Sequence, residues 1–572
     1  MGVRHLHTYI CNQVPNGVSN VDLALEAEKY RKKYGSNPIL VLDVLTMQSL
    51  MYTNSHEVCL SGRYNLCNER AHRMFSKLKS LNYKLICFID GPPQLDKMKT
   101  CLDRRNDSYD KAIKVLDLID SGTDLTQPIT GIQVPNLLPY FSNFIQIAME
   151  YGEMHASTLS ECDLEIADFA NSVGAMAIIS NDTDFLIYEG DWRFWSANHL
   201  NLETFCTIEF NRHSLRTHLK LNSNQMCLFA TLGGNDILKY NDVVNFHRRI
   251  GSNRDKFLRI ADVIRSLNSY PPRLRIQDLK RLSHSVFGPG DREYGIHLIQ
   301  QSMKSYSYLN MPRQHEDPLI DALSKNAQKF NFVIVANRPY IIQLFFFDYR
   351  DKYFTPFYDL VLPLIKRQMG ILLCRFSGDR SRTFYCKTSH ETPYRQQKLR
   401  CDFPNCDVPP LQELLFTPFG KSSQLDDLRI QLVCWQISPK LNINILKSLK
   451  NEAILTALNL FYLVEKKQIT KDEADCLLLA VNCPSNMVNQ LKYEDMKAIN
   501  GRDARVAFLF TRMYDFIRNC ISAVGLREFC SLVTFDGLYF HHLRKNWRSN
   551  PGYIDDLLKQ YEDWRIYLTV FD

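Results

Sequence analysis

The sequence predicts an α/β protein, with a doubly wound parallel sheet in residues 1–240 followed by mostly helical regions. Three observations predict this. Short apolar, β-prone runs alternate with helical stretches over the first 240 residues, as strand–helix–strand crossovers require. Several of those runs end at acids: "ILVLD" at Asp43, "KLICFID" at Asp90, and "AIISNDTDFLIY" through Asp182 and Asp184. Helical patterning then dominates 241–330 and returns from 411 onward.

The elements follow in order. "ILVLD" reads as a strand, "NERAHRMFSKLKSL" as a basic helix, and "KLICFID" as a second strand. "ECDLEIADFANSV" places apolar residues at 164, 166, 169 and 170, one face of a helix. "AMAIIS" and "FLIY" read as short strands. Residues 241–330 form a basic helical segment. Residues 331–410 form a mixed segment: apolar and aromatic runs read as strands or tightly packed helices, then a polar stretch from 377 reads as an exposed loop. Residues 411–572 form a helical domain, in which Thr470 and Glu473 of "ITKDEADCLLLAV" make a capping box.

Composition narrows the class. The 572 residues, 45% hydrophobic and 23% charged, are those of a globular protein of two to four domains. No run approaches the roughly 18 to 20 apolar residues of a membrane span. The longest candidate, "FVIVANRPYIIQLFFF", is interrupted by Asn337, Arg338 and Pro339. The N-terminus lacks a signal-peptide core, and Leu6 stands where a myristoylation motif requires Ser or Thr. Seventeen scattered cysteines read as reduced thiols of an intracellular protein, nuclear or cytoplasmic. With no Walker motif, G-x-G-x-x-G fingerprint or nucleophile elbow, no small-molecule cofactor is evident. The net charge is +7, and residues 247–281 alone carry ten Lys or Arg against three Asp. That basic segment suits a polyanionic partner, or a solvated helical face.

In doubly wound sheets ligands sit beyond the carboxyl ends of the strands. The acids at or near such places are Asp43, Asp90, Glu161, Asp163, Asp182, Asp184 and Asp236. An Asp after a strand often caps a helix or turn, and Glu161 with Asp163 also fits the charged first turn of a helix. Seven carboxylates in one crevice would instead repel one another unless protonated or neutralised by cations. Hard oxygen donors with no histidine select Mg2+ or Mn2+ over zinc, up to two ions about 4 Å apart as in phosphodiester hydrolysis.

"MGVR", the strand ending in Asp43, "FIDG", "ECDLEIA", "SNDTDFLIY" and "LGGNDI" resemble, in order and spacing, the flap endonuclease/XPG superfamily of PIN-like nucleases. "RKKYGSNPILVLD", "LNYKLICFIDG", "LDKMKTCLDRR" and "GGNDIL" narrow the resemblance to the constitutive coactivator of PPAR-gamma family, an asteroid-related branch, over about the first 240 residues. It implies a PIN/XPG-like fold and the same seven acids as metal ligands. Counted from Asp90, it implies Lys97 and Arg104 as catalytic groups on the phosphate. Two departures stand out. Bulky "VLTM" follows Asp43, and after Asp236 only Gly251 stands where flap nucleases carry a Gly-rich, duplex-gripping turn. Arg105, Arg248, Arg249, Arg254 and Lys256 are candidate nucleic-acid contacts in its place.

Residues 375–400 interleave basic and aromatic side chains, a pattern suited to single-stranded nucleic acid or to an ordinary surface loop. Cys386, His390, Cys401 and Cys406 match no common zinc spacing. Two functions are therefore expected. One is a nucleic-acid-binding, RNA-class regulator or scaffold with protein partners and a retained metal crevice, as the coactivator family implies. The other is an active Mg2+-dependent nuclease.

Overall fold

The computed structural model describes residues 2–570 except 53–54, 128, 130–132, 136–137, 252–254, 272, 289–291, 309–313, 327 and 494–495. The chain forms two compact units, each assembled from separated stretches: 1–47, 73–100 and 148–315 in the first, and 48–72, 101–147 and 316–572 in the second. They do not follow the consecutive division read from composition.

The first unit holds seven strands: β1 (Val18–Asp22), β2 (Ile39–Asp43), β3 (Lys84–Ile89), β4 (Glu153–Ala156), β5 (Ala177–Ser180), β6 (Arg193–Ser196) and β7 (Cys206–Phe210). They form one sheet in the order β1-β7-β6-β5-β2-β3-β4. Strands β6, β5, β2, β3 and β4 are mutually parallel, the expected doubly wound core. The edge differs from expectation, because β7 runs antiparallel to both β6 and β1. "FLIY" is not a strand either. Thr183–Leu186 is a buried 3-10 turn, wound so that Asp182 caps it.

The central strands are almost continuously buried, which is why they read as short apolar runs without alternation. Strand order grows outward from β2 through β3 to β4, then restarts on the other side of β2 with β5 and β6. The reversal therefore lies between β2 and β5, and the carboxyl ends of those strands flank the crevice where such sheets bind ligands.

The second unit is mainly helical, as expected, and carries a three-stranded sheet: β8 (Tyr340–Ile341), β9 (Arg382–Cys386) and β10 (Arg395–Leu399). The polar stretch read as a loop is thus an antiparallel hairpin. Arg382, Phe384 and Cys386 of β9 point inward, and Tyr394 is buried and accepts a hydrogen bond from the Leu344 amide. Arg382, Lys387, Phe384 and Tyr394 are buried within the unit, while Arg375, Phe376, Arg380, Arg395, Lys398 and Arg400 are exposed. Of the apolar 331–373 stretch, Lys329–Val335 and Phe357–Leu372 are helices. The capping box at Thr470 and Glu473 forms as expected. All seventeen cysteines are free, and no helix among the described residues is long and apolar enough to cross a membrane.

Candidate metal centre

Asp43 closes β2 and is 6% exposed. Across the strand boundary the Ser180 hydroxyl donates to Asp43 Oδ2 at 2.7 Å and accepts the Asp182 amide at 3.2 Å. One serine thus links the ends of β2 and β5. The Asp43 carboxyl is pushed up to about 7, by burial and then by Asp90, against the hydrogen bonds from Ser180 and the Thr46 amide.

Asp182 accepts the Asp184 amide at 3.0 Å and caps the 3-10 turn. The capping reading and the ligand reading of this pair are therefore compatible, since the second oxygen of Asp182 takes no part in that bond. Asp163 lies in the first turn of the helix Cys162–Ser172, which follows β4 and is capped by Glu161. One oxygen from each of Asp163, Asp182 and Asp184 lies within 4.8 Å of the others. Burial, then Glu161 and Asp182, holds Asp163 well above the ordinary carboxylate range, while burial and Asp182 do the same to Asp184.

Lys97 reaches into this group. Its ammonium lies 3.2 Å from Glu161 Oε1 and 4.0 Å from Asp236 Oδ2. Burial opposes its charge, yet Glu161, Asp236, Asp184 and Asp163 together hold it above the usual lysine range. The seven acids thus divide. Asp163, Asp182 and Asp184 form a tight trio, Asp43 acts on Asp163, Asp90 acts on Asp43, and Glu161 and Asp236 engage Lys97.

Of the other residues read from the sequence, Arg104 and Arg105 lie half-buried on the helix Met98–Asp120, in the second compact unit. Arg248 is exposed beside Asn245. Arg249 is exposed but donates to the Ser285 and Val286 carbonyls. Arg254 falls outside the described residues. Lys256 is only 5% exposed, drawn inward onto aromatic rings, so it does not stand on the basic surface that counting charges implied. Among the described residues the acidic trio is the candidate metal cluster, and Cys401 instead contacts the Arg380 carbonyl.

Several contributors to the site were not legible. Gly2, at φ +45°, packs so closely that a Cβ there would lie 2.4 Å from Asp182 Oδ1. Glu165, raised to about 7 by burial, accepts the Leu159 and Ser160 amides and fixes the loop before Glu161. Tyr306, 122 residues from Asp184, donates to its Oδ1 at 2.9 Å and receives the Asn235 side-chain amide at 3.2 Å. Tyr188 lies against Tyr306 with ring centroids 5.5 Å apart. Arg212 pins the chain around Tyr188 through the Tyr188, Gly190 and Trp192 carbonyls. Neither an aromatic doublet such as "YSY" nor a lone Arg signals such a partnership in sequence.

A prediction follows at Tyr306. In Tyr306→Phe a buried carboxylate loses its donor, which costs about 1–3 kcal/mol. Thermal unfolding should show a lower melting temperature than wild type without cation, with the gap narrowing when Mn2+ is added. An equal gap with and without Mn2+ would separate Tyr306 from cation binding.

Comparison with known proteins gives concordant results. The FAM120A-like domain profile matches residues 219–310. The constitutive coactivator of peroxisome proliferator-activated receptor gamma from Bos taurus is 28% identical over 240 residues, covering 42% of this chain and 33% of that protein. The Mus musculus protein of the same name is 30% identical over 239 residues, covering 41% and 30%. The matched region thus spans about a third of the length of these curated relatives. Among solved structures, the catalytic core of Rad2 in complex with DNA substrate shares 12% identity, with a TM-score of 0.32, over 57% of this chain and 95% of that one. Human GEN1 in complex with Holliday junction DNA shares 11%, with a TM-score of 0.31, over 59% and 79%. The resemblance read from the sequence is borne out: over some 240 residues this chain is similar to the constitutive coactivators of PPAR-gamma, and residues 219–310 match the FAM120A-like domain.

Proposed function

We propose that this chain is a nucleic-acid-binding regulator or scaffold of the constitutive coactivator type. RNA or another single strand is its ligand, it has protein partners and acts in the nucleus, and its acidic crevice takes Mg2+ or Mn2+. The observation favouring binding over hydrolysis is the place of Lys97. Its ammonium is committed to Glu161 and Asp236, inside the acid group, and is not presented as a free charge for a phosphate.

The donor set fits a hard divalent cation. The trio and Asp43 offer only carboxylate oxygens, and burial and mutual repulsion make their shared ionisation unfavourable without a compensating charge. Asp43, Asp163, Asp182 and Asp184 would hold the ion, with Asp90 beside them. It would supply the positive charge that lets a phosphate approach five acids.

A second reading, a Mg2+-dependent endo- or exonuclease, is favoured by the presence of all seven acids together with Lys97. In that case Lys97 would leave Glu161 when substrate binds and would steady the phosphate. One experiment separates the readings. Labelled single-stranded RNA, single-stranded DNA and flap DNA are incubated with wild type and with Asp182→Ala/Asp184→Ala, in Mg2+ or Mn2+. Retention without cleavage by both proteins supports the scaffold. Cleavage by wild type alone establishes the nuclease. A wild type that neither retains nor cuts any substrate defeats both and leaves a role among proteins.

A further inference from the structure

We infer that Arg4 and Lys256, which share the ring of Tyr240, form a phosphate site for a strand running alongside the acidic crevice. This deepens the nucleic-acid reading, on which it rests for the identity of the polymer.

Among the described residues the cluster is made of cations without a counter-anion. The Arg4 guanidinium lies 4.6 Å and the Lys256 ammonium 5.4 Å from the Tyr240 ring centroid, and Lys256 also lies 4.3 Å from the Phe257 ring. His5 meets Tyr240 edge-on at 6.0 Å, and His247 packs on the same ring. The charges felt by His5 are Lys256 and Arg4, the charge felt by Lys256 is Arg4, and that felt by His247 is Lys256; no carboxylate is among them. Asp255, the residue before Lys256, is exposed and acts on Tyr9 instead. Lys256 is 5% exposed, and its one hydrogen bond among the described residues is a 3.3 Å contact to the Arg4 carbonyl. Burial and Arg4 hold its pKa down to about 8, as befits an ammonium lacking an anion.

Half-buried cations of this unit are satisfied differently. Arg193 pairs with Glu26 and Glu209, Lys97 with Glu161 and Asp236, and Arg212 with three carbonyls. Among the described residues Arg4 and Lys256 retain unspent donors, and an aromatic face only partly offsets a desolvated ammonium. A guanidinium fork beside an ammonium point charge suits a phosphate's oxygens.

The position suggests what kind of phosphate binds. Gly2 touches Asp182 and Asp184, and the Val3 carbonyl accepts the Thr183 hydroxyl at 3.4 Å. Arg4 is two residues beyond Gly2, at most about 7 Å along the chain. A phosphodiester chain with one phosphate at the acidic crevice can therefore lay a neighbouring phosphate on Arg4 and Lys256. The exposed Arg4 is its point of access, with the buried Lys256 behind it.

The test uses the full chain, Arg4→Ala and Lys256→Met. Arg4 is exposed, so its variant carries the test should Lys256→Met fold poorly. Anisotropy of a labelled single-stranded RNA is measured across a salt series, and thermal unfolding is measured with inorganic phosphate and tripolyphosphate. Each variant should bind RNA about 3- to 10-fold more weakly, with a salt slope shallower by about 0.7, one phosphate contact on a single strand. Polyphosphate stabilisation should shrink in parallel. A wild type that ignores RNA yet gains Arg4-dependent stability from phosphate keeps the site as one for free phosphate and removes the nucleic-acid reading. RNA binding unchanged in strength and slope, with no Arg4-dependent phosphate effect, overturns the inference. So does a wild type that responds to neither probe.

Discussion

Replacing Asp182 and Asp184 together by alanine is expected to abolish divalent-cation uptake and to make the metal-free protein less sensitive to pH. Two of the four carboxylates around the switch point disappear, so cation affinity should fall by more than about 100-fold, beyond what losing an outer-shell partner costs. The pH effect follows from the direction of the shifts. Asp43 rises from 3.8 to about 7 in the folded chain, and Asp163 and Asp184 rise well above their usual range, all through burial and neighbouring acids. A carboxyl with a raised folded pKa contributes stability that is complete below its unfolded value and is lost as pH rises through the folded value. Metal-free wild type should therefore lose stability from about pH 4 to pH 7 and beyond, and Mn2+ should restore it. In the double variant repulsion on Asp43 and Asp163 is relieved, on the order of 1–4 kcal/mol near neutrality, less about 1 kcal/mol for the lost Asp182 cap. Melting curves from pH 4 to 8, with and without Mn2+, check both effects. Parallel pH profiles for the two proteins would contradict the acid-cluster assignment.

Arg63→Ala should destabilise the second unit strongly. Arg63 Nε donates to Asp536 Oδ2 at 2.8 Å and Nη2 to the Val488 carbonyl at 2.6 Å, with both side chains almost wholly buried. Asp536 also caps the helix Gly537–Ser549 through the Tyr539 amide, and backbone bonds from Tyr64 to Phe535 and from Gly537 to Gly62 close the same junction. Removing the guanidinium leaves a buried, unpaired carboxylate, which costs about 3–5 kcal/mol. Burial already raises the Asp536 pKa against the pull of Arg63, so the loss should be largest near neutral pH and shrink as acid protonates Asp536. Replacing both partners by apolar residues of similar volume should cost far less. Urea unfolding of the wild type and of the single and double variants measures this; equal losses for both variants would show that the pair's geometry, not its charge, holds the junction.

The acids of the site were legible because of where parallel strands end. Asp43, Asp90 and Asp182 each follow a short run buried on both faces, and topology alone brings those ends together. What each acid does was not legible, because it depends on partners distant in sequence. Lys97 could be located by counting from Asp90, but its closure onto Glu161 and Asp236 depends on two further segments. Tyr306 reaches Asp184 from beyond the helix Arg292–Lys304, and no local pattern marks it. Counting charges failed at Lys256 because it treats every lysine as solvated, whereas aromatic neighbours draw this one inward. The hairpin of β9 and β10 was missed because the inward positions 382, 384 and 386 include an arginine and a cysteine, which blurs the alternation of a half-buried strand. The edge strand β7 was missed for the opposite reason. Strand-like composition gives no direction, and only the observed register shows that it runs against β6.

We propose that Asp43, Asp163, Asp182 and Asp184 form one divalent-cation site. The most direct test is titration of Mn2+ into the metal-free wild-type chain near pH 7.5, following free Mn2+ by its paramagnetic resonance. Saturable uptake of one or two ions per chain is expected, displaced by excess Mg2+ and absent from Asp182→Ala/Asp184→Ala. A free-ion signal that grows linearly from the first addition, as in buffer alone, would contradict it.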